Sequence, residues 1–247
     1  MKILVACEYS GTVRDAFIRI GHDAVSCDFL PTESPGPHYQ GDVADIIHDE
    51  WDMLIAFPPC TYLCSSGLHW NSRTPGRSEK TERALQFVHF LMNAPIQKIA
   101  IENPIGCIGT RIRPQDQIIQ PHQFGHDASK STCLWLKGLP RLTPTKHIAP
   151  RMIGHRPRWA NQTDSGQNKL PPSKDRWKER SVTYKGIAEA MAEQWGTSKV
   201  FYRQQHLSLG GNLGDFSPAH QNRKPAQTGE ILEAASGFEP EDIKSSS

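Results

Sequence analysis

Two side chains in this 247-residue sequence stand where chemistry is usually done. Cys60 follows the apolar run Met53-Leu54-Ile55-Ala56-Phe57 and two prolines, and Glu102 follows Lys98-Ile99-Ala100-Ile101. A thiolate adds to electron-poor carbon. A carboxylic acid beside it can give or take a proton as charge develops. A lone cysteine at a strand end is more often packing. Two prolines that cannot continue a central ladder throw Cys60 clear of its strand, and Glu102 ends another, which favours a working pair. Cys64, four residues on, reads as a bystander.

Short apolar runs with the composition of buried parallel strands must position these groups. Lys2 to Cys7 predicts a first strand, Val13 to Ile20 a helix closed by Gly21, and Asp23 to Asp28 a second strand ending in a carboxylate. This is a strand, loop, helix, strand unit of the nucleotide-binding kind. Pro31 to Tyr39 reads as loop. Ala84, Phe87, Val88 and Leu91 recur at helical spacing and predict a helix over 78–93, stopped by Pro95. Thr61 to Gly76 is polar and turn-rich, long enough to close over a site. Ile118-Ile119 and Thr132 to Leu136 are strand candidates, and Tyr184 to Trp195 reads as a helix. From Thr197 onward the composition is that of a weakly ordered tail.

Charge is unevenly spread. The formal charge is only +2, yet Lys137 to Arg180 holds eleven Lys/Arg against three Asp/Glu. That segment is proline-rich and aperiodic, and it reads as an irregular basic insertion suited to a polyanion, most simply nucleic acid. The six cysteines form no Cys-x-x-Cys pair, so neither a zinc site nor a secreted disulfide scaffold is expected. No apolar stretch approaches 18 residues and no signal-peptide layout opens the chain. A soluble, cytoplasmic monomer without metal or membrane contact is the expectation.

Strand carboxyl ends line one edge of such a sheet. In order they carry Cys7-Glu8-Tyr9-Ser10-Gly11, Asp28, then Gly41-Asp42-Val43, Pro58-Pro59-Cys60 and Glu102-Asn103-Pro104. With Cys64-Ser65-Ser66-Gly67 after Cys60, and a helix after Tyr184-Lys185-Gly186, this order resembles that of the DNA cytosine-5 methyltransferases, in their compact phage and bacterial form. The resemblance covers about residues 1–137 and 181–196. It implies an α/β, Rossmann-like S-adenosylmethionine-dependent methyltransferase fold with a short, irregular recognition insertion. The implied divisions are a catalytic core over 1–137, a reduced recognition insertion over 138–180, a returning core helix over 181–196 and a tail over 197–247.

The resemblance also implies roles. Cys60 would be the nucleophile toward carbon 6 of a flipped cytosine in double-stranded DNA, Glu102 the acid at ring nitrogen 3, and Asn103 the holder of the loop. Lys130 would replace one arginine of the family's Gln-x-Arg-x-Arg strand, whose second arginine is matched by Thr132. Glu8, Ser10, Gly11, Asp28, Asp42 and Pro58 would bind S-adenosylmethionine, with Asp28 on its ribose. Two other readings stay open in the sequence. One is a catalytically inactive methyltransferase-like DNA-binding protein. The other is a pyrimidine C5 methyltransferase acting on RNA or a free nucleotide.

Overall fold

The computed structural model describes residues 1–174 and 176–197, Trp177 by its backbone alone. The reading of a weakly ordered tail therefore falls almost wholly outside the described residues. In chain order the elements are β1 (Lys2–Ala6), α1 (Thr12–Arg19), β2 (Asp23–Asp28), β3 (His38–Gln40), β4 (Met53–Ala56), α2 (Ser65–Leu68), α3 (Arg77–Met92), β5 (Lys98–Pro104), α4 (Ile108–Arg111), β6 (Gln117–Ile119), β7 (Thr132–Lys137), β8 (Arg151–Ile153), β9 (Arg156–Arg158), α5 (Arg176–Ser181) and α6 (Lys185–Gly196).

Seven strands form one sheet in the order β3-β2-β1-β4-β5-β7-β6. The first five in this order run parallel, and β7 is antiparallel to both β5 and β6. The order reverses between β1 and β4, where a parallel sheet opens a crevice at its strand ends. The fold is α/β and Rossmann-like.

Side-chain alternation along the strands feeds two cores. Leu4, Ala6, Leu54, Ala56, Ile99 and Ile101 face one layer with Ala84, Val88 and Leu91 of α3. Ile3, Val5, Met53, Ile55 and Ala100 face the other, with Val13 and Phe17 of α1 and Ile187, Met191 and Trp195 of α6. Every residue of β4 is fully buried, which is why that strand is apolar throughout. Gly21, at φ 89°, follows the end of α1 in the left-handed conformation that suits glycine there.

Register aligns the working ends. Cys27, Ala6, Ala56 and Ile101 lie in one row across four strands. The residues that follow them are Asp28, Cys7, Phe57 and Glu102, so the chemistry-bearing groups share one edge. The structure departs from the sequence reading in three places. The loop over 31–39 runs into β3, the sheet's edge strand, and 61–76 contains the short α2. The basic insertion is not wholly irregular, since it carries the β8–β9 hairpin and α5. None of the described helices is long and apolar enough to cross a membrane.

Candidate active site

The crevice at the reversal point is a cleft of about 900 Å³. The ends of β1, β2, β4 and β5 line it, together with part of the 60–77 segment, Lys130, residues 172–174, Arg176 and residues 180–183.

At the end of β1, Cys7 adopts φ 57°, a left-handed conformation unusual for a residue with a side chain. Glu8 then turns back onto the first turn of α1. Its Oε1 accepts from the Val13 amide at 2.6 Å and its Oε2 from the Arg14 amide at 3.2 Å, while the Ser10 hydroxyl donates to Oε1 at 3.3 Å. A carboxylate is favoured at a helix N-terminus, where amides lack partners. Burial outweighs those contacts and pushes the Glu8 carboxyl up to about 7. Glu8 and Ser10 both line the cleft. Gly11 does not; it precedes α1 at φ 73°, where an added Cβ would lie 2.4 Å from the Arg14 guanidinium.

Arg14, unremarked in the sequence reading, is fully buried. It donates to Ser26 Oγ at 3.0 Å, Thr32 Oγ1 at 3.2 Å and the Ser34 carbonyl at 2.9 Å, so it pins the loop that follows Asp28. Asp28 enters the cleft from β2, its Oδ1 accepting from the Leu30 amide at 2.9 Å, and burial raises its carboxyl to about 6. Between the apolar walls of Leu30 and Phe57, Asp28 can accept hydroxyls such as those of a ribose. Asp42 lies outside the cleft lining, and its Oδ1 caps the single turn over 43–45 by accepting from the Ala44 amide at 2.9 Å. The structure thus gathers Glu8, Ser10, Asp28 and Pro58 in the cleft and leaves Gly11 and Asp42 out of it.

Cys60 is the one exposed cysteine of the six. Its thiol is held well above the ordinary range, first by a hydrogen bond with Cys64, then by desolvation and by the charges of Cys64 and Glu102, while Lys130 pulls the other way. Cys64 is shifted down by the same contact, helped by Ser66 Oγ at 3.3 Å and the Arg180 guanidinium. The sequence reading set Cys64 aside, although its spacing of four residues from Cys60 was visible.

On the neighbouring strand, burial raises the Glu102 carboxyl, and Lys130 and a Thr132 hydrogen bond moderate the rise. Thr132 is therefore a neutral partner of Glu102. Asn103 is buried; its Nδ2 donates to the Pro58 carbonyl at 2.7 Å, tying the Pro-Pro-Cys turn to β5. Asn103 Oδ1 is buried without a hydrogen-bond partner among the described residues. Lys130 Nζ donates to the Arg180 carbonyl at 2.8 Å, and Tyr9 Oη lies 2.8 Å from Ser181 Oγ, so α5 is fastened across the cleft. Arg77, Lys174, Arg176 and Arg180 add positive charge to its lining. The sequence reading placed charge in this segment without placing it beside Cys60.

No protein-family model matches the chain, and no curated protein matches it in sequence. Among solved structures, the methyltransferase EhMeth of Entamoeba histolytica is 16% identical with a TM-score of 0.41, covering 60% of this chain and 58% of that one. Dnmt2 of S. pombe is 14% identical with a TM-score of 0.37, covering 57% and 51%. A mutant DNMT2 of Spodoptera frugiperda is 16% identical with a TM-score of 0.36, covering 64% and 57%. The chain matches little more than half the length of these structures. The sheet order with its reversed seventh strand is that of the Rossmann-like methyltransferase fold.

Proposed function

We propose that the protein transfers a methyl group from S-adenosylmethionine to carbon 5 of a cytosine in DNA, through a transient bond between the Cys60 sulfur and ring carbon 6. The observation that carries this reading is the placement of Cys60 and Glu102 on adjacent strand ends in one cleft, tied together by the bond from Asn103 to the Pro58 carbonyl.

The residues present fit S-adenosylmethionine. Asp28 offers a carboxylate to ribose hydroxyls, and Leu30 and Phe57 offer apolar walls to a purine. The amides of Val13 and Arg14 are already taken by Glu8, so the amino-acid end of the cofactor would meet Glu8 and Ser10 instead. The cleft's volume of about 900 Å³ has room for a second planar ligand. When bound, the cofactor supplies an electrophilic methyl group.

The chain's own groups do the rest. Cytosine carbon 5 is a poor nucleophile until a sulfur adds to carbon 6 and turns the ring into an enamine. Glu102, whose raised carboxyl keeps its proton nearer neutral pH, relieves charge at nitrogen 3. A cytosine stacked in a duplex cannot reach Cys60, so the base must flip out. Arg77, Lys130, Lys174, Arg176 and Arg180 around the cleft suit the phosphates of a polymer better than a free base.

Labelled S-adenosylmethionine offered with duplex DNA, RNA or deoxycytidine monophosphate tests the reading. Label on duplex DNA alone is expected. A duplex carrying 5-fluorocytosine should leave a stable adduct on the Cys60 peptide, because fluorine cannot depart as a cation. Label on RNA or nucleotide alone would contradict the DNA substrate, and no label on any of them would contradict the reaction.

A further inference from the structure

A base lifted out of a duplex loses the neighbours it was stacked on. In the proposed reaction the protein must give part of that contact back, and a flat aromatic side chain does so for any base. Among the described residues, Tyr9, Phe57 and Trp70 are the aromatic side chains that line the cleft. Tyr9 is tied through its hydroxyl to Ser181 of α5, and Phe57 serves the cofactor's purine. Trp70 has neither commitment.

Its backbone fixes where Trp70 stands. The Trp70 amide donates to the Gly67 carbonyl at 3.1 Å, and the Trp70 carbonyl accepts from the amides of Arg73 at 3.0 Å and Thr74 at 2.9 Å. Next to it, Asn71 Nδ2 donates to Thr81 Oγ1 at 2.9 Å, and that hydroxyl donates to the Tyr62 carbonyl at 3.0 Å. Thr81 is buried on α3, so the segment is anchored to that helix. The Trp70 side chain nevertheless stays 47% exposed. Apolar side chains exposed singly over a surface are ordinary, but one on the wall of a cleft is available to a ligand. Of the large apolar side chains exposed among the described residues, Trp70 alone lines the cleft.

The surroundings indicate the ligand. The Arg73 guanidinium lies 5.8 Å from the Trp70 ring centroid, and the His69 ring lies 5.0 Å away, tilted by 41°. Arg77 lines the cleft from the same segment, its Nη2 donating to the Thr61 carbonyl at 3.0 Å. Residues 60–77 contain these two arginines and no Asp or Glu. An aromatic ring among cations suits a base joined to phosphates. Cys60 and Glu102 line the same cleft, so the base that enters it in the proposed reaction is the target itself. We propose that Trp70 is the stacking platform of the flipped cytosine, its indole packing against the base once it has left the duplex. The proposal rests on the reading of the cleft as the site of a flipped DNA base.

Two labelled duplexes test this on the full chain, one with a single bulged cytosine and one with a bulged abasic residue at the same position. An unpaired base costs least to extrude, and the two probes carry the same phosphates. By fluorescence anisotropy, the wild type should bind the cytosine bulge about five- to a hundred-fold more tightly than the abasic bulge. Trp70→Ala and Trp70→Leu should abolish that preference, and Trp70→Phe should keep most of it. The salt dependence of binding and the affinity for S-adenosylmethionine should hold in all three variants, because the indole carries no charge and the phosphate contacts remain. No preference in the wild type, or a preference that survives in Trp70→Ala, overturns the proposal. A loss in Trp70→Ala that is equal on both duplexes also overturns it, by placing the ring against a base still in the helix. Methyl transfer to cytosine with the preference unmoved in Trp70→Ala would remove the role of Trp70 and leave the reaction. A preference lost as expected, in a protein that transfers no methyl group, would leave the platform and remove the reaction.

Discussion

Three carboxyls in the cleft owe their raised titration chiefly to burial, and they differ in what holds them. Glu8 is committed to two helix amides, Asp28 to one loop amide, and Glu102 to the neighbourhood of Lys130 and Thr132. In the proposed reaction Glu102 is the carboxyl that trades its proton with the substrate. Replacing it by Gln keeps the shape and removes the proton; methyl transfer should slow by on the order of a hundred-fold or more while S-adenosylmethionine affinity holds. Unchanged turnover would end its acid role. Asp28 yields a pH prediction. A ribose hydroxyl donates more strongly to the ionised carboxylate than to the neutral acid, and this carboxyl titrates at about 6. S-adenosylmethionine affinity, measured by calorimetry, should therefore fall as pH drops through 6. Asp28→Asn should lose this dependence and weaken binding by about 1–2 kcal/mol.

Among the elements, the 60–64 turn and the loop after β5 form one unit, zipped where Cys64 pairs with Gly106. A Cβ at Gly106 would collide with the Leu63 backbone rather than a side chain that can move. Gly106→Ala should cost about 1–3 kcal/mol in denaturant unfolding and displace Cys60 from Glu102, lowering kcat far more than cofactor affinity. Equal kcat would show that the zip does not set their spacing. The strands and the two large helices were legible because buried parallel strands and amphipathic helices leave local patterns: β4 is a continuous apolar run, and α3 repeats at helical spacing. Strand ends follow from strands, so Cys60, Glu102 and Asp28 could be placed along one edge. What sequence did not reveal depends on contacts far apart in the chain. Arg14 looks like a surface arginine until the loop over 32–37 folds around it. Asp42 lies outside the cleft lining, and its Oδ1 accepts from the Ala44 amide. The short β8, β9 and α5 lack the length for a periodic signal.

Across the whole molecule, charge and topology meet at one place. The reversal of strand order opens the cleft, and the basic segment returns through α5 to close one wall of it with Lys174, Arg176 and Arg180. Contacts from this wall to phosphates would release counterions. The logarithm of duplex affinity should then fall with the logarithm of salt with a slope of about −3 to −5. Arg176→Glu with Arg180→Glu should flatten that slope, whereas a flat response in the wild type would return the segment to a solvated surface. The measurement closest to the central claim is bisulfite sequencing of plasmid from cells without other cytosine methylases, expressing wild type or Cys60→Ala. Cytosines protected at a defined sequence by the wild type, and by the wild type alone, are the predicted result. Protection by both, or by neither from soluble protein, would contradict methyl transfer to DNA cytosine through Cys60.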